Sequence, residues 1–67
     1  EFLNIESDTI ITKIVVYNIT GIPVIDKTGC NDYSITLNVS HFSPGLYIAR
    51  IYFSDGEIVT SRFVKKQ

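Results

Sequence analysis

The residues of this chain that could do chemistry are few and far apart. His41 is its one histidine and Cys30 its one cysteine, in 67 residues. A zinc site draws several ligands from His, Cys and carboxylates, and here there is no Cys–His spacing and no second histidine. Ser40 and Ser43 lie close to His41 in sequence. Near neighbours along a chain rarely reach the geometry in which a histidine takes a serine proton, and no Gly-x-Ser-x-Gly elbow is present. His41 therefore reads as a loop histidine. Asp26, Asp32, Asp55 and Glu57 fall in or beside expected turns and match no calcium-binding loop. The four glycines are spread over separate turns, so no phosphate-cradling loop forms. The expectation is a chain without catalytic, metal or cofactor residues and without a small-molecule substrate. Cys30, between Gly29 and Asn31, reads as a turn residue, and a single thiol cannot make an internal disulfide.

Size and composition point the same way. A domain this short buries only about 60% of the surface its unfolded chain exposes, enough for one thin core and too little for a deep cleft. An apolar fraction of 45% is that of a folded chain. Net charge is −1, and basic residues do not cluster with aromatics as a nucleic-acid track requires. Apolar stretches fall well short of the ~20 residues of a spanning helix. With neither a starting Met nor a signal peptide, the chain is expected to be one domain, residues 1–67, cut from a larger protein. Glu1-Phe2 reads either as a cloning remnant or as the start of a strand, Phe2-Leu3-Asn4-Ile5; the strand is preferred.

The elements that would position any site are strands. Ile, Val, Tyr, Phe and Thr dominate, no segment has helical period, and turn signals recur roughly every 8–12 residues, as in a small all-β sandwich or barrel. Ile10 to Asn18 is expected as a central strand, with Ile10, Thr12, Ile14, Val16 and Asn18 on one face and Ile11, Lys13, Val15 and Tyr17 on the other. Thr20-Gly21 turns the chain, and Pro23 starts the short strand Val24-Ile25 at a sheet edge, because proline donates no ladder hydrogen bond. Asp26 to Asp32 reads as a polar loop. Tyr33, Ile35, Leu37 and Val39 alternate with polar residues and should line the core. Leu46 to Phe53 carries Tyr47, Ala49, Ile51 and Phe53 on one face. Asp55-Gly56 is a hairpin signal, and Ile58 to Val64 closes the set, with Val59, Ser61 and Phe63 on one face. Five to seven strands in two sheets are predicted.

Phe42-Ser43-Pro44-Gly45-Leu46-Tyr47 resembles the tyrosine corner of immunoglobulin-like sandwiches, in which a tyrosine near the start of a late strand bonds back to the preceding crossover. Tyr47 is the candidate, and the predicted fold is a small immunoglobulin-like antiparallel β-sandwich. Asn18-Ile19-Thr20 and Asn38-Val39-Ser40 match the N-glycosylation sequon, a short pattern that arises often by chance in Thr- and Ser-rich strands. The basic end, Val64-Lys65-Lys66-Gln67, reads either as a solubilising strand end or as a recognition handle.

Taken in order, four segments resemble the C-terminal sorting domain of cargo proteins of the bacterial type IX secretion system. They are Phe2-Leu3-Asn4-Ile5, Tyr17 to Val24 with its Asn–x–x–Gly–x–x–Val spacing, Phe42 to Ile51 with its Gly–x–Tyr, and Phe63-Val64-Lys65-Lys66. The resemblance spans Phe2 to Lys66. It implies a non-catalytic export address. The parent would enter the periplasm, be bound by the outer-membrane machinery through this domain, and reach the cell surface or the medium. A surface sortase would usually then remove the domain by a cut upstream of Glu1. It also implies that Gly21, Gly45 and Tyr47 set the fold, beside the Asp55-Gly56 pair that the hairpin signal itself marks as fold-defining, and that Phe63, Val64, Lys65 and Lys66 are read by the machinery. Open strand edges would further allow a homodimer. The competing expectation is an immunoglobulin-like or fibronectin-like binding module of a surface enzyme or adhesin, with Tyr17, Tyr33 and Tyr52 available to a carbohydrate.

Overall fold

Two polar stretches that separate apolar runs in the sequence, Glu6–Thr9 and Asp26–Asp32, do not end strands. In a computed structural model, which describes residues 1–66, Phe2–Asn18 is a single strand, β1, and Pro23–Asn38 is a single strand, β2. Gly45–Phe53 forms β3 and Ile58–Lys65 forms β4. All pairings are antiparallel and join one four-stranded sheet in the order β2-β1-β3-β4. The all-β expectation is met. The five to seven strands are four, and the two sheets of an immunoglobulin-like sandwich are one. The expected loop Asp26–Asp32 is strand, and Phe2–Ile5 is continuous with Ile10–Asn18.

The second layer comes from bending. Phe2–Glu6 pairs only with Ser34–Asn38 of β2, whereas Ile11–Asn18 lies between β2 and β3. Between these halves the β1–β2 register slips. On β2, Gly29 (φ 67°) and Asn31 (φ 54°) take positive φ beside this slip. Extra residues on one strand of a pair bend it and increase its twist, so the free half of the β1–β2 ribbon folds over the remaining sheet. Leu3 and Ile5 thereby meet Ala49, Ile51 and Phe63 across a shared recess. The Val39 N–H donates to the Glu1 carbonyl at 3.0 Å, which ties the start of β1 to the end of β2.

The core consists of Ile11, Ile14, Val16, Ile35, Leu37, Val39, Phe42, Tyr47, Ala49 and Ile51, with Leu3, Ile5, Ile25, Cys30, Phe53 and Phe63 packed around it. The expected inner faces of β3 and of Ile35–Val39 are therefore found. The parity of β1 is not. A register shift between Ile11 and Lys13 puts Ile11 on the same face as Ile14 and Val16. Tyr33, expected in the core, is 54% exposed. It follows Asp32, whose Oδ1 accepts from the Tyr33 and Ser34 N–H groups, at the corner where the ribbon bends. β1 is central and has both faces partly covered, as expected, since Val15 on its outer face is also buried. Pro23 starts an edge strand, also as expected.

Candidate functional site

Two hairpin turns share one design. At the β1–β2 turn, the Gly21 N–H donates to the Asn18 carbonyl and the Asn18 N–H to the Ile22 carbonyl, both at 2.9 Å. At the β3–β4 turn, the Gly56 N–H donates to the Phe53 carbonyl at 3.0 Å and the Phe53 N–H to the Glu57 carbonyl at 2.9 Å. Each is a three-residue loop closed by a glycine of positive φ, 88° at Gly21 and 91° at Gly56, the αL position that such loops require. Side chains complete them. Asn18 Oδ1 accepts from the Thr20 N–H, the Thr20 hydroxyl and the Ile22 N–H at 2.7–3.0 Å, and Asp55 Oδ1 accepts from the Glu57 N–H at 2.9 Å.

Asn18 is a turn-forming residue that sequence reasoning missed, although an asparagine three residues before a turn glycine was a visible signal. Asn38 plays a smaller version of the same part, accepting from the Ser40 N–H at 3.0 Å. Both sequon asparagines thus spend their side-chain oxygens on local backbone.

The crossover from β2 to β3 is held by aromatics. The Tyr47 hydroxyl donates to the Ser43 carbonyl at 2.6 Å, the bond back to the crossover expected of it. Its ring lies between Phe42, with centroids 4.8 Å apart, and Phe63, at 5.6 Å and nearly parallel. His41 packs edge-on against Phe42 at 5.3 Å and is exposed, as a loop histidine should be. Gly45 (φ 149°) opens β3 and pairs with Lys65.

These contacts divide the expected recognition residues. Phe63 is half-buried and faces Tyr47. Lys65 is also turned in, with Nζ 3.3 Å from the Glu1 carboxylate and 3.2 Å from the Lys66 carbonyl. Val64 is 60% exposed, and Lys66 is exposed beyond the strand. Gln67 lies outside the described residues. β4 pairs with β3 alone, so its other side presents the unpaired backbone groups of an edge strand. Leu46, opposite Val64, and Val24 line a shallow groove that runs past Phe42, Pro44 and Tyr47.

Among the described residues no cluster of His, Cys, Asp or Glu has the spacing of a metal site. Cys30 is an unpaired, half-buried thiol beside the β2 bulge, 3.7 Å from the Lys27 carbonyl.

Comparison with known proteins finds no curated protein that matches the chain. A family model described as secretion system C-terminal sorting domain does match, over residues 1–66. That match takes in the Asn18–Gly21 turn, the Tyr47 crossover and β4 together, and the chain accordingly belongs to the C-terminal sorting domains of the type IX secretion system.

Proposed function

We propose that the chain is the non-catalytic address of a larger parent protein, and that the outer-membrane machinery reads it through β4. The supporting observation is the position of β4. It is a short edge strand at whose end the inward residues Phe63 and Lys65 are spent on the fold, while Val64 on its outward face and Lys66 just beyond it are exposed. An edge of this kind can take an added strand from a partner, with backbone pairing supplying affinity and alternate side chains supplying specificity. The parent crosses the inner membrane by its own signal and this domain folds in the periplasm. The machinery then engages β4, and a surface sortase cuts upstream of Glu1. The parent ends at the cell surface or in the medium. The same open edge allows a homodimer, in which two copies pair before export.

The test is a reporter with a periplasmic signal, fused ahead of this chain in a bacterium with a working type IX system. Surface or medium delivery that is lost in a secretion-deficient strain is the expected result. A reporter that stays folded in the periplasm, also when the natural upstream segment is restored, would overturn the proposal in favour of a binding module.

A further inference from the structure

The outer face of the sheet carries a charge pattern that edge recognition does not use. The registers set its side chains in three rows across β1, β3 and β4: Lys13, Tyr52 and Ile58; Val15, Arg50 and Thr60; Tyr17, Ile48 and Arg62. Each row holds one cation, displaced by one strand from the row before. Lys13, Arg50 and Arg62 therefore form a diagonal, and diagonal neighbours in an antiparallel sheet stand roughly 7–8 Å apart. Half of the chain's six Lys and Arg residues lie on this line.

Two of these cations are held in place over rings, Lys13 Nζ at 5.2 Å from the centre of Tyr52 and the Arg50 guanidinium at 5.9 Å from that of Tyr17. Such contacts fix a cation without neutralising it. Among the described residues the one ion pair is that of Lys65 with Glu1, so no carboxylate pairs with the diagonal. Asp26, the acid opposite Val15, sits on β2, across β1 from both arginines and a diagonal neighbour of the half-buried Lys13, so the two arginines are the cations of the line farthest from an acid on this face. Arg50 and Arg62 are exposed.

We propose that this diagonal binds an extended acidic peptide segment with carboxylates at alternate residues. Alternate side chains of an extended strand share a face and repeat at roughly 6.6–6.8 Å, close to the spacing of the cations. A guanidinium presents a planar fork that matches a carboxylate. Other polyanions fit less well. Single-stranded nucleic acid needs open ring faces for its bases, and here Tyr17 and Tyr52 are covered by cations. Anionic membranes are held by clusters of roughly four to eight basic residues, more than the diagonal offers. The proposal goes beyond the sorting reading and does not depend on it.

The test is fluorescence anisotropy of labelled peptides titrated with the 67-residue chain. One peptide alternates Glu with Thr, and a second has the same composition with its Glu residues contiguous. The alternating peptide should bind about tenfold more tightly, by about 1.4 kcal/mol, and raised salt should weaken it. R50E/R62E should abolish that binding while its circular dichroism melt stays at the wild-type temperature. If the reversal unfolds the chain, R50Q/R62Q takes its place. Equal binding of the two peptides would overturn the proposal, as would undiminished binding by the folded variant. So would tighter Arg-dependent capture of oligothymidylate or of anionic phospholipid vesicles.

Discussion

Tyr47 joins three parts of the chain through one side chain. Its hydroxyl fixes the crossover at Ser43, and its ring lies between Phe42 and Phe63. The hydroxyl and the ring can be separated by mutation. Tyr47→Phe keeps the ring and removes a part-buried hydrogen bond, which should cost about 1 kcal/mol. In a domain of this size that lowers the thermal midpoint by roughly 4–8 °C; an unchanged melt would mean that water serves Ser43 as well as the hydroxyl does. Asn18 makes a comparable prediction in an exposed turn. Its Oδ1 serves three donors, so Asn18→Ala should cost about 1 kcal/mol in urea unfolding. Asn18→Asp, which keeps the acceptor, should lose much less. The contrast between the two variants isolates the acceptor from the general effect of changing a turn residue.

At the scale of elements, the turns and the bulge take backbone conformations that most L-residues resist. Gly56→Ala places a Cβ at φ 91°, where an L-residue pays roughly 1–2 kcal/mol, although no neighbouring atom would be struck. Thermal unfolding should show that loss, with the sheet's far-UV signal retained below the transition. Asn31 at φ 54° should tolerate Gly and resist Val, whose branched side chain disfavours the left-handed region. These elements differ in how far the sequence reveals them. Asp55-Gly56 announces its turn because few residues accept that backbone. Tyr33 to Val39 announces its inner face by alternation, correctly for Ile35, Leu37 and Val39 and wrongly for Tyr33. The continuity of β1 and β2 is hidden because Glu6–Thr9 and Asp26–Asp32 are mostly exposed, with only Ser7, Thr9 and Cys30 half-buried. A strand that buries so little apolar surface has the composition of a loop. The parity of β1 is hidden as well, since one bulged residue exchanges its faces, and Ile11 and Thr12 carry no mark of it.

For the whole molecule, the address proposed for β4 overlaps with the fold, and this decides how that proposal can be tested. Removing residues 63–67 takes away Val64 and Lys66, but it also takes the ring stacked on Tyr47 and the lysine paired with Glu1. A loss of export by that truncation would therefore follow equally from an unfolded domain and from an unread one. The side-chain directions of β4 allow the two effects to be separated. Phe63→Ala removes a half-buried ring from the aromatic stack and should cost up to the roughly 3–5 kcal/mol of a fully buried one, a large share of the stability of a small domain. Lys65→Ala should cost less than about 1 kcal/mol, because Glu1 is largely solvated and such pairs are screened. Val64→Asp with Lys66→Glu changes exposed residues and should leave the melt within about 0.5 kcal/mol of wild type. If β4 is what the machinery reads, this folded double variant should hold a fused reporter inside the cell, because Val64 lies on the edge strand offered to the partner and Lys66 carries its charge just beyond. Full export of a stably folded V64D/K66E fusion would exclude Val64 and Lys66 and leave the backbone edge of β4, or its other outward side chains such as Arg62, as the recognised feature.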